Sequence, residues 1–268
     1  MIKTPPITSM KDAFSVAGKN VVVTGGNTGI GYGIATAFAQ SGANVAILCR
    51  NVESGKKAAL EMRAYGVKSE AFQCDISNVE SVNQAVDAVY KFFDHVDVLV
   101  NNAGVASTTE FLADKDLSEW HRVINTNLHG IANMIHTIAP KMKGAGKGGE
   151  IINISSVGGQ RVSNTVSGHH NPPYNVAKAG VDIFTRYLAI DLGDYGIRVN
   201  AIAPGMTHSN LDSDLPAAVR ASAETDLPTH RFGEPIEIGA LCVFLASPAA
   251  CQITGCVYNH DGGLMCIS

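Results

Sequence analysis

Paired cysteines are missing from this chain. Its six cysteines (Cys49, Cys74, Cys242, Cys251, Cys256 and Cys266) form no C-x-x-C and no zinc-type spacing. That excludes a structural zinc module and points to free thiols in a reducing compartment. No apolar run approaches the ~20 residues that a membrane-spanning helix needs. Neither sign of charge dominates: 20 Lys and Arg face 24 Asp and Glu, a net −4. The chain therefore carries no electrostatic footprint for nucleic acid or an anionic membrane. Residues 1–13 hold Pro5 and Pro6 but no continuous apolar stretch, so they read as a short N-terminal arm and not as a secretory signal. Internal repeats and linker-like composition breaks are absent too. These exclusions leave one soluble, cytoplasmic domain over residues 14–268, whose 46% of hydrophobic residues suffices for a sizeable core.

Residues 19–24 are a β-branched run ending in glycine and read as a buried strand. The turn after it, Thr24-Gly25-Gly26-Asn27-Thr28-Gly29-Ile30-Gly31, leads into a helical pattern up to Gly42. Glycines at 25, 29 and 31 let the backbone turn tightly and approach a pyrophosphate, whose charge is met by the first amides of the helix. Gly25, Asn27, Gly29, Ile30 and Gly31 are therefore candidate cofactor contacts. Glycine-rich turns also occur with no ligand; the strand before and the helix after favour the dinucleotide reading here.

A further absence lies at the end of the next strand, residues 44–48. About 20 positions beyond the glycines, dinucleotide folds carry an acid that accepts the ribose hydroxyls. Here Cys49 stands in that place, followed by Arg50 and Asn51. With no carboxylate to repel a 2′-phosphate and a guanidinium to pair with one, the pattern predicts NADP(H), with NAD(H) as the alternative. The plainer reading of Arg50 is a solvated residue opening the helix over 52–65.

Strand and helix keep alternating. A strand at 70–74 runs into Asp75-Ile76, where the carboxylate either holds the adenine amino group or, like Ser77, caps the helix of 79–93. A strand at 97–100 runs into Asn101-Asn102-Ala103-Gly104, small and amide residues past which a cofactor can run close to the backbone. Asn127 lies within a long amphipathic stretch, 117–142, a poor place for Asn unless its amide serves a polar network. Residues 143–149 read as a flexible loop. The strand at 151–154 delivers Ser155 and Ser156 to the end where open α/β sheets bind ligands. Period-two alternation lets only one of them face a site.

His169 and His170 are adjacent and divergent, so they read as loop or rim residues and no metal site is expected. Pro172-Pro173 opens a helix that runs to about Tyr195 and carries Tyr174 and Lys178. Four positions apart, these two share one helix face. An ammonium beside a phenol draws its pKa of about 10 toward the range useful for acid–base chemistry. A strand at 197–202 closes at Pro204-Gly205. The polar segment 206–232 reads as a mobile cover over a substrate, followed by a helix at 236–246 and a last strand at 257–259. Six or seven strands alternating with helices predict an α/β chain: a single-domain, Rossmann-type, doubly wound parallel sheet with helices on both faces.

Taken together these landmarks resemble the short-chain dehydrogenase/reductase family, from about Phe14 to Gly263. They occur in that family's order: Thr24-Gly25, Gly29-Ile30-Gly31, Asp75, Asn101-Asn102-Ala103-Gly104, Asn127, Ser156, Tyr174 with Lys178, and Pro204-Gly205. The resemblance implies hydride transfer between a nicotinamide and a carbonyl or alcohol carbon. It makes Tyr174 the general acid–base group, with Lys178 lowering its pKa and holding the nicotinamide ribose. It gives Ser156 the substrate oxygen, Asn127 a relay water, and Thr207 the nicotinamide carboxamide or phosphate. Ile76, Asn102, Ala103, Gly104, Pro204 and Gly205 would line the cofactor. Ser156 and Tyr174 lie 18 positions apart, several more than is usual in the family, so the loop between them holds an insertion at the substrate mouth. Thr28 stands where many NADP-preferring relatives carry a basic residue. Members of this kind are commonly tetramers, so a homo-oligomer, tetramer or dimer, is expected, formed through the helices over 117–142 and 174–195.

The implied partner is a small-molecule substrate. Asp212, Asp214, Glu224 and Asp226 against Arg220 alone oppose docking of an acidic acyl carrier protein. The polar insertion (Arg161, Ser163, Asn164, Thr165, Ser167, His169, His170 and Asn171) suits a polyol or sugar. Met206, Leu211, Leu215 and Phe232 suit a steroid or another apolar ketone; the balance leans to the polyol. A sugar-nucleotide epimerase would need more chain beyond the sheet. A reading of another class, a non-catalytic dinucleotide-binding sensor or scaffold, is opposed by the presence of Tyr174, Lys178 and Ser156 together.

Overall fold

Strands covered on both faces read as near-continuous apolar runs, and those of this chain do. The computed structural model describes residues 6–10, 12–162, 171–209 and 217–267. The strands are β1 (Asn20–Thr24), β2 (Asn44–Cys49), β3 (Ser69–Gln73), β4 (Val98–Asn101), β5 (Gly149–Ile154), β6 (Ile197–Pro204) and β7 (Val257–His260). They form one parallel sheet in the order β3-β2-β1-β4-β5-β6-β7. The helices are α1 (Gly29–Gln40), α2 (Val52–Arg63), α3 (Val79–Phe92), α4 (Ser118–Ile124), α5 (Gly130–Ala145), α6 (Pro172–Gly193), α7 (Ala217–Asp226) and α8 (Pro235–Ala246).

Strand periodicity divides the core. Val21, Val23, Val45, Ile47, Val98 and Val100 meet α1, α2 and α8 on one face. Val22, Ala46, Leu48, Leu99 and Ile151 meet α3, α5 and α6 on the other. The chain is thus the doubly wound sheet with helices on both faces. Chain order reverses between β1 and β4, and open α/β sheets bind ligands at such a point, outside the carboxyl ends of the strands.

The expected long helix over 117–142 is present as one continuous helical run, Ser118 to Ala145, in which a single π-helical turn, Asn125–His129, separates α4 from α5. Two expectations change. Residues 143–149 are not all loop, because α5 continues to Ala145 and ends at Gly146 in the left-handed conformation, φ 65°. The segment 206–232 holds α7 and is not a bare cover. His169, His170, Ser163, Asn164, Thr165, Ser167, Leu211, Asp212, Asp214 and Leu215 lie outside the described residues. No described helix is long and apolar enough to cross a membrane.

Below the sheet, on the side away from the strands' carboxyl ends, Glu150 is buried at 1% exposure and pairs with Arg198 at 2.8 Å. Arg198 also donates to the carbonyls of Leu245 and Ile253 at 2.7 and 3.0 Å, and Asn200 Nδ2 donates to Glu150 at 2.9 Å. Breaking a buried pair by removing one partner costs about 3–5 kcal/mol. Arg198→Met is expected to lower unfolding free energy by about that much, read from urea denaturation.

Candidate active site

The floor of the site is where β1 and β4 end side by side. Thr24 Oγ1 accepts the backbone N–H groups of Asn102 (2.9 Å) and Ala103 (3.0 Å). Asn102 Nδ2 returns a bond to Thr24 O at 3.0 Å. Above that clamp the glycine turn has no room for side chains. Gly25 has φ 66°, and a Cβ on Gly31 would meet Gly25 O at 2.2 Å and Asn102 Nδ2 at 2.4 Å. The predicted Gly25, Asn27, Gly29, Ile30, Gly31, Asn102, Ala103 and Gly104 all line one cleft of about 1460 Å³. Arg50, Asn51, Asp75, Ile76, Ser156, Tyr174, Lys178, Pro204, Gly205 and Thr207 line the same cleft.

At the end bearing Arg50 the local chemistry is that of turns and caps. Asn51 Oδ1 caps α2 by accepting Ser54 N, and Asn27 Nδ2 donates to Ser54 Oγ at 2.8 Å. Asp75 accepts from Ser77 N (3.0 Å) and Ser77 Oγ (2.7 Å), while Asn78, rather than Asp75 or Ser77, caps α3. Arg50 is exposed and has no hydrogen bond or ion pair among the described residues. With Gln73, Asp75, Ser81 and Gln84 it also borders a smaller cavity of about 370 Å³.

At the other end β5 separates the two serines. Both line the cleft, contrary to the expectation that only one would: Ser155 Oγ donates to Lys178 O at 3.2 Å, and Ser156 Oγ accepts Gly158 N. Lys178 is buried, donates from Nζ to Ile154 O at 2.6 Å and lies 5.5 Å from the Tyr174 ring centroid. Burial pushes the lysine pKa down to about 8, and the Asp182 carboxylate one turn along α6 opposes that shift. For Tyr174 burial pushes the pKa up and the Ser156 hydroxyl pulls the other way. The expected lowering by Lys178 is therefore not met in this state: burial holds the phenol pKa up, and the opposing pull comes from the Ser156 hydroxyl. Asn127 is fully buried within the π-type turn. Its amide accepts Val105 N and donates to Val105 O, both at 2.8 Å, so it serves the polar network that a mid-helix Asn requires. It does not line the cleft. Thr207 Oγ1 is buried with no hydrogen-bond partner among the described residues.

The mouth is walled by Ser107, Thr108, Thr109, Glu110, Asn171 and Ser209. Glu119 fixes the first part of that wall, accepting Thr108 N at 2.7 Å and Thr108 Oγ1 at 3.0 Å. Arg122 grips Glu119 at 2.6 Å and the Ala106 carbonyl at 2.7 Å, and holds the Glu119 pKa down near 2. Phe232 does pack with Met206, as expected, but it is buried with Leu227 beneath the wall, and of these three only Met206 lines the cleft.

The family model described as enoyl-(acyl carrier protein) reductase matches residues 25–265. A short-chain type dehydrogenase/reductase from Mycobacterium marinum superposes with a TM-score of 0.90 at 32% identity, covering 96% of this chain and 100% of that one. The chain belongs to the short-chain dehydrogenase/reductase family. As a member it is an oxidoreductase of CH–OH and keto groups. A 3-oxoacyl-(acyl-carrier-protein) reductase from Chlamydia muridarum is 38% identical over 92% of this chain and 97% of its own length. A sorbose reductase from Candida albicans is 32% identical over 98% of this chain and 93% of its own. A gluconate 5-dehydrogenase from Burkholderia cenocepacia, solved with NADP and tartrate, has a TM-score of 0.88 at 30% identity, covering 96% and 99%.

The residues fit the dinucleotide that such a reductase uses: a cradle that a Cβ on Gly31 would fill, and an orphaned Thr207 hydroxyl at the far end. Sequence reasoning named Thr24 and Ser155 without giving Thr24 its clamp role, and missed the Glu119–Arg122 brace. The i, i+3 acid–base pair just beyond the polar run 107–110 was the available signal.

The depressed Lys178 pKa has a sign. Between pH 8 and 10.5 the unfolded chain holds a proton that the native chain has released, so stability rises with pH there, and the cost of the buried cation is present in full below about 8. Lys178→Met removes this dependence. Wild type is expected to gain about 2 kcal/mol on that variant between about pH 7 and 9.5, read from paired urea titrations.

Proposed function

We propose that the protein is an NADP(H)-dependent oxidoreductase that interconverts a ketone and a secondary alcohol, with a polyol or sugar as its substrate. The reading is carried by the convergence of Ser156, Tyr174 and Lys178 on the cleft that also holds the glycine cradle and the orphaned Thr207 hydroxyl. When bound, the nicotinamide supplies or takes up the hydride. Gly25, Gly29, Gly31 and the first amides of α1 hold the pyrophosphate, and Thr207 the nicotinamide end. Arg50, with no acid in the place of Cys49, pairs with the 2′-phosphate.

Tyr174 donates its phenolic proton to the substrate oxygen in reduction and recovers it in oxidation. Burial favours the protonated phenol, the form a general acid needs; Lys178 as a cation makes its deprotonation less costly. Ser156 donates to the same substrate oxygen as negative charge develops there. Asn127 acts through Val105, by fixing the backbone that turns from β4 into the mouth.

The polyol reading rests on the hydroxyl- and amide-bearing wall of Ser107, Thr108, Thr109, Asn171 and Ser209. The sorbose and gluconate enzymes among the relatives support it. Kinship with the 3-oxoacyl reductase supplies a second substrate class; the exposed Asp226 and the acidic Glu224 on α7 disfavour an acidic carrier. NADPH is expected to bind more tightly than NADH in a fluorescence titration, with Arg50→Ala weakening NADPH by about 10- to 100-fold and leaving NADH nearly unchanged. A panel of ketoses, polyols, a steroid ketone and a 3-oxoacyl thioester then tests the substrate. Tyr174→Phe should lower kcat by about 10²–10⁴ with cofactor binding retained. Binding without turnover on any member would favour the sensor reading.

Val176, Ile183, Tyr187 and Ile190 form an exposed apolar stripe along α6, with Ile190 at 78%. Helical spacing puts them on one face, and we assign that face to a homo-oligomer. Ile190→Glu is expected to shift the mass measured by light scattering to a smaller species.

A further inference from the structure

Arg161 opens the insertion between Ser156 and Tyr174, yet its side chain does not enter the cleft. Its Nη1 donates to two carbonyls near the other end of the chain, Leu264 O at 2.8 Å and Ile267 O at 2.7 Å. Those oxygens sit at the start of a single 3₁₀ turn, Leu264–Cys266, and just past its end. One guanidinium nitrogen carries two hydrogens, so both bonds form at once. The opposite end of the turn is held by Asp261, which accepts Gly263 N at 3.0 Å and Met265 N at 2.9 Å. The turn is thus capped at both ends, and only the Arg161 cap comes from a distant part of the chain.

The capped turn contacts two segments that each contribute a residue to the cleft. On the side of the covering segment, Leu264 packs with Met206 against Leu227 and Phe232. Thr229 N donates to Gly262 O at 3.2 Å and Gly205 N to His260 O at 3.0 Å. Gly262 and Gly263 lie so close to Thr229 and Pro228 that a Cβ on either would meet them at 2.5 and 2.6 Å. On the side of the catalytic serine, Arg161 N donates to Val157 O at 3.1 Å and Gly159 N to Ser156 O at 2.9 Å. Gln160 Nε2 reaches Asn259 Oδ1 at 2.8 Å, beside the same turn. Met206 and Ser156 both line the cleft, and the strap formed by 261–267 is bonded to the loop that follows Ser156 and packed against Met206.

We propose that Arg161 is a positioning residue for the substrate: by fastening the 261–267 strap to the Ser156 loop, it sets the separation between the oxygen-binding end of the site and the Met206 wall. The role rests on the oxidoreductase reading above, because it assigns Ser156 to the substrate oxygen. Arg161 does not touch the glycine cradle, so the pyrophosphate end is independent of it, whereas Thr207 lies in the 205–209 segment that the strap supports.

The test uses the full chain with Arg161→Gln and Arg161→Lys, followed by backbone hydrogen exchange and steady-state kinetics. Exchange in 261–267 and in 205–209 should accelerate about tenfold or more in Arg161→Gln, with β1 unchanged. Arg161→Lys, which keeps a charged multiple donor, should fall between the two. With the substrate found by the panel, KM should rise about tenfold and kcat fall less than about threefold, with NADPH affinity weakening less than KM rises. Unaltered exchange in the strap overturns the proposal. So does acceleration confined to 261–267 with 205–209 unmoved, or a uniform acceleration that includes β1, which would make Arg161 a general stabilising residue. Exchange needs no turnover, so failure to find a substrate counts against the oxidoreductase reading and leaves the Arg161 result standing on its own.

Discussion

The Thr24 hydroxyl is the contact on which the rest of the site depends. At the point where strand order reverses, it accepts two backbone N–H groups from the segment leaving β4. Each would otherwise be an unsatisfied donor beside an apolar sheet, at a cost of about 1–3 kcal/mol. Satisfying both with one side chain draws Asn102 and Ala103 against the glycine turn. That closeness is why Gly31 cannot carry a side chain and why backbone, not side chains, forms the floor of the cleft.

The two ends of the cleft obey opposite electrostatic regimes. Arg50 stands in water, where a guanidinium keeps its hydration at little cost. Lys178 is buried, bonded to a carbonyl of β5, and its charge is under strain from desolvation. A cation under such strain responds strongly to any anion formed beside it. Asp182, a turn away, limits the strain without pairing directly.

Polar networks away from the chemistry fix the substrate walls. Glu119 and Arg122 hold the 105–110 loop from one side. Arg161 and the strap near the chain's other end hold the opposite side. Each uses charged groups on backbone atoms of loops, where no ladder of sheet hydrogen bonds is available to define the geometry.

Sequence alone determined the alternation of strand and helix, since periods of two and 3.6 residues are local properties. It determined the glycine cradle, because a turn that must approach a phosphate requires residues without a Cβ. It also determined the i, i+4 placement of Tyr174 and Lys178 and the missing acid at Cys49. Element ends moved by a residue or a few where packing and capping decided them, as at Ala145. Other features needed the tertiary structure. Both Ser155 and Ser156 line the cleft, and which hydroxyl is tied to Lys178 O and which to Gly158 N depends on how β5 sits against α6. Asn127 finds its partner, Val105, 22 positions away, and Phe232 turns from the cleft into its own cluster. Arg161 meets carbonyls 103 and 106 residues distant. Nothing in the pattern around these residues encodes such partners, because contacts between distant segments arise only when the sheet has brought their ends together.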